Sequence, residues 1–274
     1  MRAARNVAVE EVDMVLPFEP SPHEGSVVEV VIGAYYRKNE PVSSSADLNK
    51  EPEEVASMFD GVAKRYDIMN DLLSLGQTKA WRKKATAIIA PSTGMKILDI
   101  AAGTGSSSRP LADAGAEVIP ADFSQGMLDA GKKRHPDLQF TLADALNLPF
   151  GADEFDVTTI SFGLRNTNDV DKALAEFLRV TKPGGRLVVV EFSHPTNKWF
   201  RVIYMKYLMG FLPKVAKRLS SNPDAYIYLA QSIQAWPNQE ELGRRIESAG
   251  WGSVAWQNFT FGIVAVHIAF KDKK

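Results

Sequence analysis

The 274-residue chain contains no cysteine. That removes disulfide scaffolds, thiolate zinc sites, iron–sulfur clusters and cysteine nucleophiles together, so stability must come from an ordinary buried core. A basic excess is missing too: 32 Lys and Arg stand against 33 Asp and Glu, which argues against nucleic acid bound by bulk electrostatics. No apolar run is long enough to span a bilayer, and no early basic stretch leads into an uninterrupted apolar core, so neither a spanning helix nor a secretory signal is expected. The four histidines, His23, His135, His194 and His267, are scattered without ligand spacing, and no metal site is expected. The expectation is a cytoplasmic protein, free or peripheral at a membrane.

What is present divides the chain. Residues 1–45 hold four bases against seven acids, four prolines and a serine run, and read as a disordered extension. The remaining 46–274 should form one domain. Its beginning, residues 52–92, is expected to be a helical cap: Val55, Met58, Phe59, Val62, Tyr66 and Met69 recur at helical spacing, and a second helix is expected over 78–89. Strands are expected at 96–101, 117–121, 139–142, 155–161 and 185–192, with helices at 107–114, 124–134 and 170–180 between them. That alternation predicts an α/β fold, doubly wound about a mostly parallel sheet. Segments 254–260 and 263–270 should add an antiparallel pair, giving seven strands.

The first strand runs through Asp99 into Ala101-Ala102-Gly103-Thr104-Gly105. A dinucleotide fingerprint would place a third glycine where Ser108 stands, so the Gly-x-Gly alone admits a plain structural turn. Asp99 would repel a diphosphate but suit a ligand with an ammonium group; its alternative is to cap the turn. Asp122 ends the second strand where a ribose-binding acid is expected, and its alternative is to cap the next helix. Asp144 and Ala145 follow the third strand, where a carboxylate can accept from an adenine amine. Asp156, at the opposite edge, reads as structural, and Gly184-Gly185 as a turn.

This ordered series resembles the class I S-adenosylmethionine-dependent methyltransferases over residues 94–271. A finer resemblance rests on three stretches: Phe59-Asp60-Gly61-Val62-Ala63-Lys64-Arg65-Tyr66-Asp67-Ile68-Met69-Asn70, Ile160-Ser161-Phe162-Gly163-Leu164-Arg165-Asn166, and Tyr226-Ile227-Tyr228-Leu229-Ala230-Gln231-Ser232-Ile233. They look like the ubiquinone/menaquinone biosynthesis C-methyltransferase family over residues 53–271. The resemblance implies S-adenosylmethionine as cofactor, S-adenosylhomocysteine as product, and cofactor contacts at Thr104, Asp122, Asp144, Ala145 and Ser161, beside Asp99, Gly103 and Gly105 of the turn. It implies methylation of a ring carbon in a prenylated hydroquinone such as demethylmenaquinol, with a benzoquinol as the alternative acceptor.

That chemistry asks for a phenol of ordinary pKa near ~10 to ionise at neutral pH. Arg165 keeps its charge and suits stabilisation of the phenolate. Tyr66 and Asp67 are candidates for orienting the hydroxyls, or else a packed helix face. His194 is a candidate proton relay or a turn residue. Residues 193–235 are expected to be an inserted helical lid. From Phe192 to Pro223 there are six bases and no acid, and Phe200, Ile203, Tyr204, Tyr207, Leu208 and Phe211 share a helical face opposite Lys198, Arg201 and Lys206. Such a helix suits transient contact with an anionic membrane or a lid over a lipid tail; covering the core is the alternative. A homodimer remains open.

Overall fold

The structure is a computed structural model that describes residue 74 and residues 76–211 and 223–273. The extension 1–45, most of the cap 52–92 with Tyr66 and Asp67, and residues 212–222 of the lid lie outside the described residues.

The described elements begin with helix α1 (Gln77–Ile89) and strand β1 (Lys96–Ile100). Helix α2 (Ser108–Asp113), β2 (Glu117–Asp122), α3 (Gln125–Arg134) and the two-residue β3 (Thr141–Leu142) follow, then β4 (Phe155–Ser161), α4 (Val170–Val180) and β5 (Thr181–Phe192). Helices α5 (Lys198–Lys206), α6 (Pro223–Ala235) and α7 (Gln239–Ser248) precede the closing strands β6 (Gly252–Phe259) and β7 (Val264–Phe270). The seven strands lie in the order β3-β2-β1-β4-β5-β7-β6. Strands β1 to β5 pair in parallel, and β7 runs antiparallel to both β5 and β6. The expected doubly wound sheet with an antiparallel terminal pair is therefore present.

Strand alternation explains why helices cover both faces. Ile97, Val157, Val188, Val190 and Val266 point to one side, where Trp81, Ala85 and Ile89 of α1 and Leu111 of α2 pack on them. Leu98, Ile100, Ile160, Leu187 and Val189 point to the other, against Leu174 and Phe177 of α4, Leu242 and Ile246 of α7 and Trp251. With apolar residues on both faces, the central strands read as continuous hydrophobic runs, as a parallel sheet requires. Each fully buried aliphatic side chain contributes about 1.5–3 kcal/mol, which is what holds the two helical layers on.

Three details differ from the sequence expectation. Strand β5 starts at Thr181, and residues 182–185 form an irregularity inside it, since the register jumps from Phe155–Thr181 to Val157–Arg186. Gly185 is more than a turn residue there: a Cβ would come 2.9 Å from the carbonyl oxygen of Asp156. Asp156 is the second residue of β4, which is central and not an edge strand; it accepts from Lys96 N–H and Lys182 Nζ at 2.8 Å each, a structural role. Helix α7 is absent from the sequence expectation, although its capping box, Asn238 with Glu241, is written in the sequence.

Candidate active site

A cavity of about 940 Å³ opens at the carboxyl ends of the parallel strands. The turn after β1, the ends of β2, β4 and β5, helices α1 and α5 and the hairpin turn between β6 and β7 all contribute to its wall. Ligands bind at such strand ends in open α/β sheets because the loops diverge there and leave space.

The glycine turn is built by close packing. Gly103 and Gly105 have φ of 56° and 80°, conformations that glycine adopts without strain, and a Cβ on Gly105 would lie 2.7 Å from the Phe140 ring. Ser108, in place of a third glycine, is buried and donates to Asp99 Oδ2 at 2.6 Å; Ser107 donates to the same oxygen at 2.7 Å. Asp99 thus ties the turn to the start of α2. Its side chain lies behind the turn and off the cavity wall, and burial pushes its carboxyl up to about 6 against the two serine hydrogen bonds. Its Oδ1 has no partner among the described residues.

Asp122 stands on the wall at the end of β2. Its Oδ2 accepts from Gly103 N–H at 2.8 Å and its Oδ1 from Ser124 N–H at 2.9 Å. The cap of α3 is Ser124, which accepts from Met127 N–H, so Asp122 is not the helix cap. Thr104, Asp144, Ala145 and Ser161 also line the cavity. Asp144 is held by Leu146 N–H at 2.8 Å.

After β4 the chain turns sharply. Phe162 has φ of 58°, costly for a non-glycine residue, and Gly163 presses on Ala101, itself at φ 52°. The turn sends the Phe162 ring against Phe192 at 5.0 Å and Trp81 at 6.2 Å. Arg165 follows in the short 3-10 turn Leu164–Asn166 and lines the cavity with a side chain only 5% exposed. Its Nη1 donates to Phe162 O and to Glu191 Oε1, both at 2.7 Å, and its guanidinium lies over the Phe192 ring at 5.2 Å.

Sequence reasoning missed Glu191, Trp81 and Thr260. Glu191 could have been flagged as a lone acid within an apolar strand. The bond from Trp81 Nε1 to Thr260 Oγ1, 2.8 Å, joins α1 to the terminal hairpin and carries no sequence signal. His194 is absent from the wall, and its Nε2 pairs with the Trp236 carbonyl at 2.8 Å, so it ties the start of the lid to the end of α6. The apolar face of the lid is unevenly buried. Leu208 packs inward, whereas Ile203 and Phe211, with Trp199, are exposed.

The wall suits S-adenosylmethionine. Two buried polar atoms on it, Thr159 Oγ1 and Arg165 Nε, lack partners among the described residues. The carboxylates of Asp122 and Asp144 provide acceptors for hydroxyl and amine donors, and aromatic rings provide faces for a sulfonium.

Strand order, glycine turn and pocket together define a class I S-adenosylmethionine-dependent methyltransferase. More narrowly, a family model described as the ubiE/COQ5 methyltransferase family matches residues 47–271, and the chain belongs to that family. The chain is 60% identical over 226 residues to the demethylmenaquinone methyltransferase of Streptomyces avermitilis, covering 82% of this chain and 98% of that protein. It is 55% identical over 231 residues to that of Mycobacterium sp. (strain JLS), covering 84% and 100%. Among solved structures, a methyltransferase of Thermotoga maritima superposes with a TM-score of 0.59 at 18% identity, covering 79% of this chain and 99% of that one. Haemonchus contortus phosphoethanolamine N-methyltransferase 2, in complex with S-adenosyl-L-methionine, gives 0.53 at 17% identity over 72% of this chain and 53% of that one. These structures share the fold.

Proposed function

We propose that the chain methylates a ring carbon of demethylmenaquinol, forming menaquinol. The observation that carries this reading is Arg165: a buried, permanently charged guanidinium on the wall of a large, mainly apolar cavity, among the rings of Phe162, Phe192 and Trp81. The relatives named as demethylmenaquinone methyltransferases support the same acceptor.

Bound S-adenosylmethionine supplies an electrophilic methyl group on sulfur, which direct displacement transfers without a metal. The protein's share is positioning and charge stabilisation. Asp122, Asp144, Thr104, Ala145 and Ser161 hold the cofactor, and the buried Asp99 braces the turn behind it. Arg165 stabilises the phenolate that makes the neighbouring ring carbon nucleophilic. The phenol proton passes to water, and after methyl transfer the ring carbon loses its proton as the oxygen regains one, so one proton is released per methyl group. The aromatic rings exclude water and fix the plane of the acceptor. Burial pushes the Tyr204 phenol up from its ordinary range, so on this wall it acts as a hydrogen-bond donor and not as the base. Tyr66 and Asp67 lie outside the described residues, and the family resemblance alone makes them candidates for orienting the acceptor hydroxyls.

The prenyl tail leaves past Ile203 and Phe261, which both line the cavity and are exposed. With Trp199 and Phe211 they make an apolar rim beside Lys198 and Lys206, suited to transient contact with the anionic inner face of the cytoplasmic membrane. Among the described residues, no helix is long and apolar enough to cross a membrane. The direct test incubates purified protein with labelled S-adenosylmethionine and either demethylmenaquinol or a demethylated benzoquinol, and weighs the product. A chain that binds S-adenosylhomocysteine yet methylates no prenylated quinol would refute the proposal.

A further inference from the structure

Glu191 is the penultimate residue of β5 and 1% exposed. Among the described residues, every partner of its carboxylate is a donor. Oε1 accepts from Arg165 Nη1 at 2.7 Å and from Phe192 N–H at 2.8 Å, and Oε2 accepts from Arg165 N–H at 3.3 Å. Three donors and no acceptor suit the ionised form. Burial pushes the carboxyl up, while Arg165 and the two backbone N–H groups pull it back.

Stability alone is a weak reason for such a pair, because apolar residues of matching volume commonly serve a core as well. Its location gives a better one. Arg165 lines the cavity and Glu191 does not, so the carboxylate sits behind the guanidinium and grips the same residue at side chain and backbone. Phe192, whose N–H binds Glu191, also offers its ring to the guanidinium. The side chain that faces the ligand is therefore oriented largely by the end of β5. Charge adds a second requirement. In a cavity of low polarity an unbalanced guanidinium and a sulfonium repel each other, whereas a guanidinium paired with a carboxylate presents donors with little net charge.

We propose that Glu191 is a positioning and charge-balancing residue, fixing Arg165 from behind and offsetting part of its charge, so that one cavity accepts a sulfonium cofactor while the guanidinium still donates to a phenolate. The positioning half rests on the role proposed above for Arg165; the charge half rests only on the chain being an S-adenosylmethionine-dependent methyltransferase.

The two cofactor forms separate the halves, since S-adenosylmethionine is cationic at sulfur and S-adenosylhomocysteine is neutral there. Both affinities would be measured by calorimetry for the wild type, Glu191→Gln, Arg165→Met and the double variant Arg165→Met/Glu191→Met, with kcat and KM for the quinol alongside. In Glu191→Gln, S-adenosylmethionine should weaken about tenfold more than S-adenosylhomocysteine, as expected for one unbalanced charge nearby. The double variant, with neither charge, should recover the wild-type ratio of the two affinities and remain inactive. Should Glu191→Gln fail to fold, the double variant still decides: a wild-type ratio sustains the charge half and an altered ratio overturns it. Equal weakening of both ligands in a folded Glu191→Gln overturns it as well. An unchanged kcat in that variant overturns positioning. Full turnover by Arg165→Met would instead sink the reading of Arg165, leaving the affinity ratio to judge Glu191 independently.

Discussion

Gly163 packs against Ala101 so closely that a Cβ on Gly163 would collide with the Cβ of Ala101. The two residues belong to the turns after β4 and β1, so the floor of the cavity depends on one missing methyl group. Gly163→Ala should cost about 1–3 kcal/mol by overpacking and weaken S-adenosylhomocysteine together with stability. Ala101 has φ of 52°, where glycine is at ease, so adding Ala101→Gly should restore both. Urea unfolding and calorimetry on the single and double variants decide; a double variant no better than the single would refute the steric account.

Asp122 offers a test of cofactor holding. An amide there has one acceptor oxygen for the N–H groups of Gly103 and Ser124, which now bind separate oxygens. Asp122→Asn should weaken S-adenosylhomocysteine by about 10–100-fold, the range for hydrogen bonds to a charged group. Helix α3 should survive because Ser124 caps it, so an unchanged far-ultraviolet spectrum with weak binding is the expected pair of results.

The buried Asp99 makes a prediction about pH. Its pKa rises from 3.8 unfolded to about 6 folded through burial. Between those values the folded state binds more protons, so Asp99 makes stability fall as pH rises from about 4 to 6, by up to about 3 kcal/mol. Asp99→Asn keeps an acceptor for Ser107 and Ser108 and lacks that titration. The stability of the variant relative to wild type should therefore grow across this window and level off above it. Parallel pH curves for the two proteins would contradict the assignment.

The exposed rim bears on membrane contact. Trp199 is 82% and Phe261 73% exposed, so replacing them with serine should change the unfolding free energy little, within about 0.5 kcal/mol. The same double variant should lose sedimentation with phosphatidylglycerol vesicles if the rim enters the interface. Vesicle binding equal to wild type would discard the rim as a docking surface.

Much of this organisation is legible in the residues. Short apolar runs punctuated by glycine and proline locate β1, β2 and β4 to within a residue or two, and the run from Leu187 to Val190, apolar on both faces, marks β5 as a central strand. Asp122, Asp144, Ser161 and Arg165 reach one cavity because each follows or ends a strand. What the sequence hides are the contacts made between distant segments. Glu191 stands out in the sequence only as a lone acid in an apolar strand; its partner, Arg165, appears once β5 is laid beside the turn after β4. His194 lies close to the chemistry in sequence, yet its ring pairs with the Trp236 carbonyl, a contact 42 residues away along the chain. The apolar residues of α5 and the turn after it share one helical face in the sequence, which does not show that Ile203 and Phe211 are exposed while Leu208 packs inward.

The hydrogen bond between Trp81 and Thr260 couples positions 179 residues apart along the chain. A ribosome releases Trp81 long before Thr260 exists, and β7 must enter between β5 and β6 before the hairpin turn reaches its place. The cofactor chamber therefore closes only after the hairpin has been made, and a nascent chain that stops short of the hairpin holds most of the sheet without one wall of its binding site.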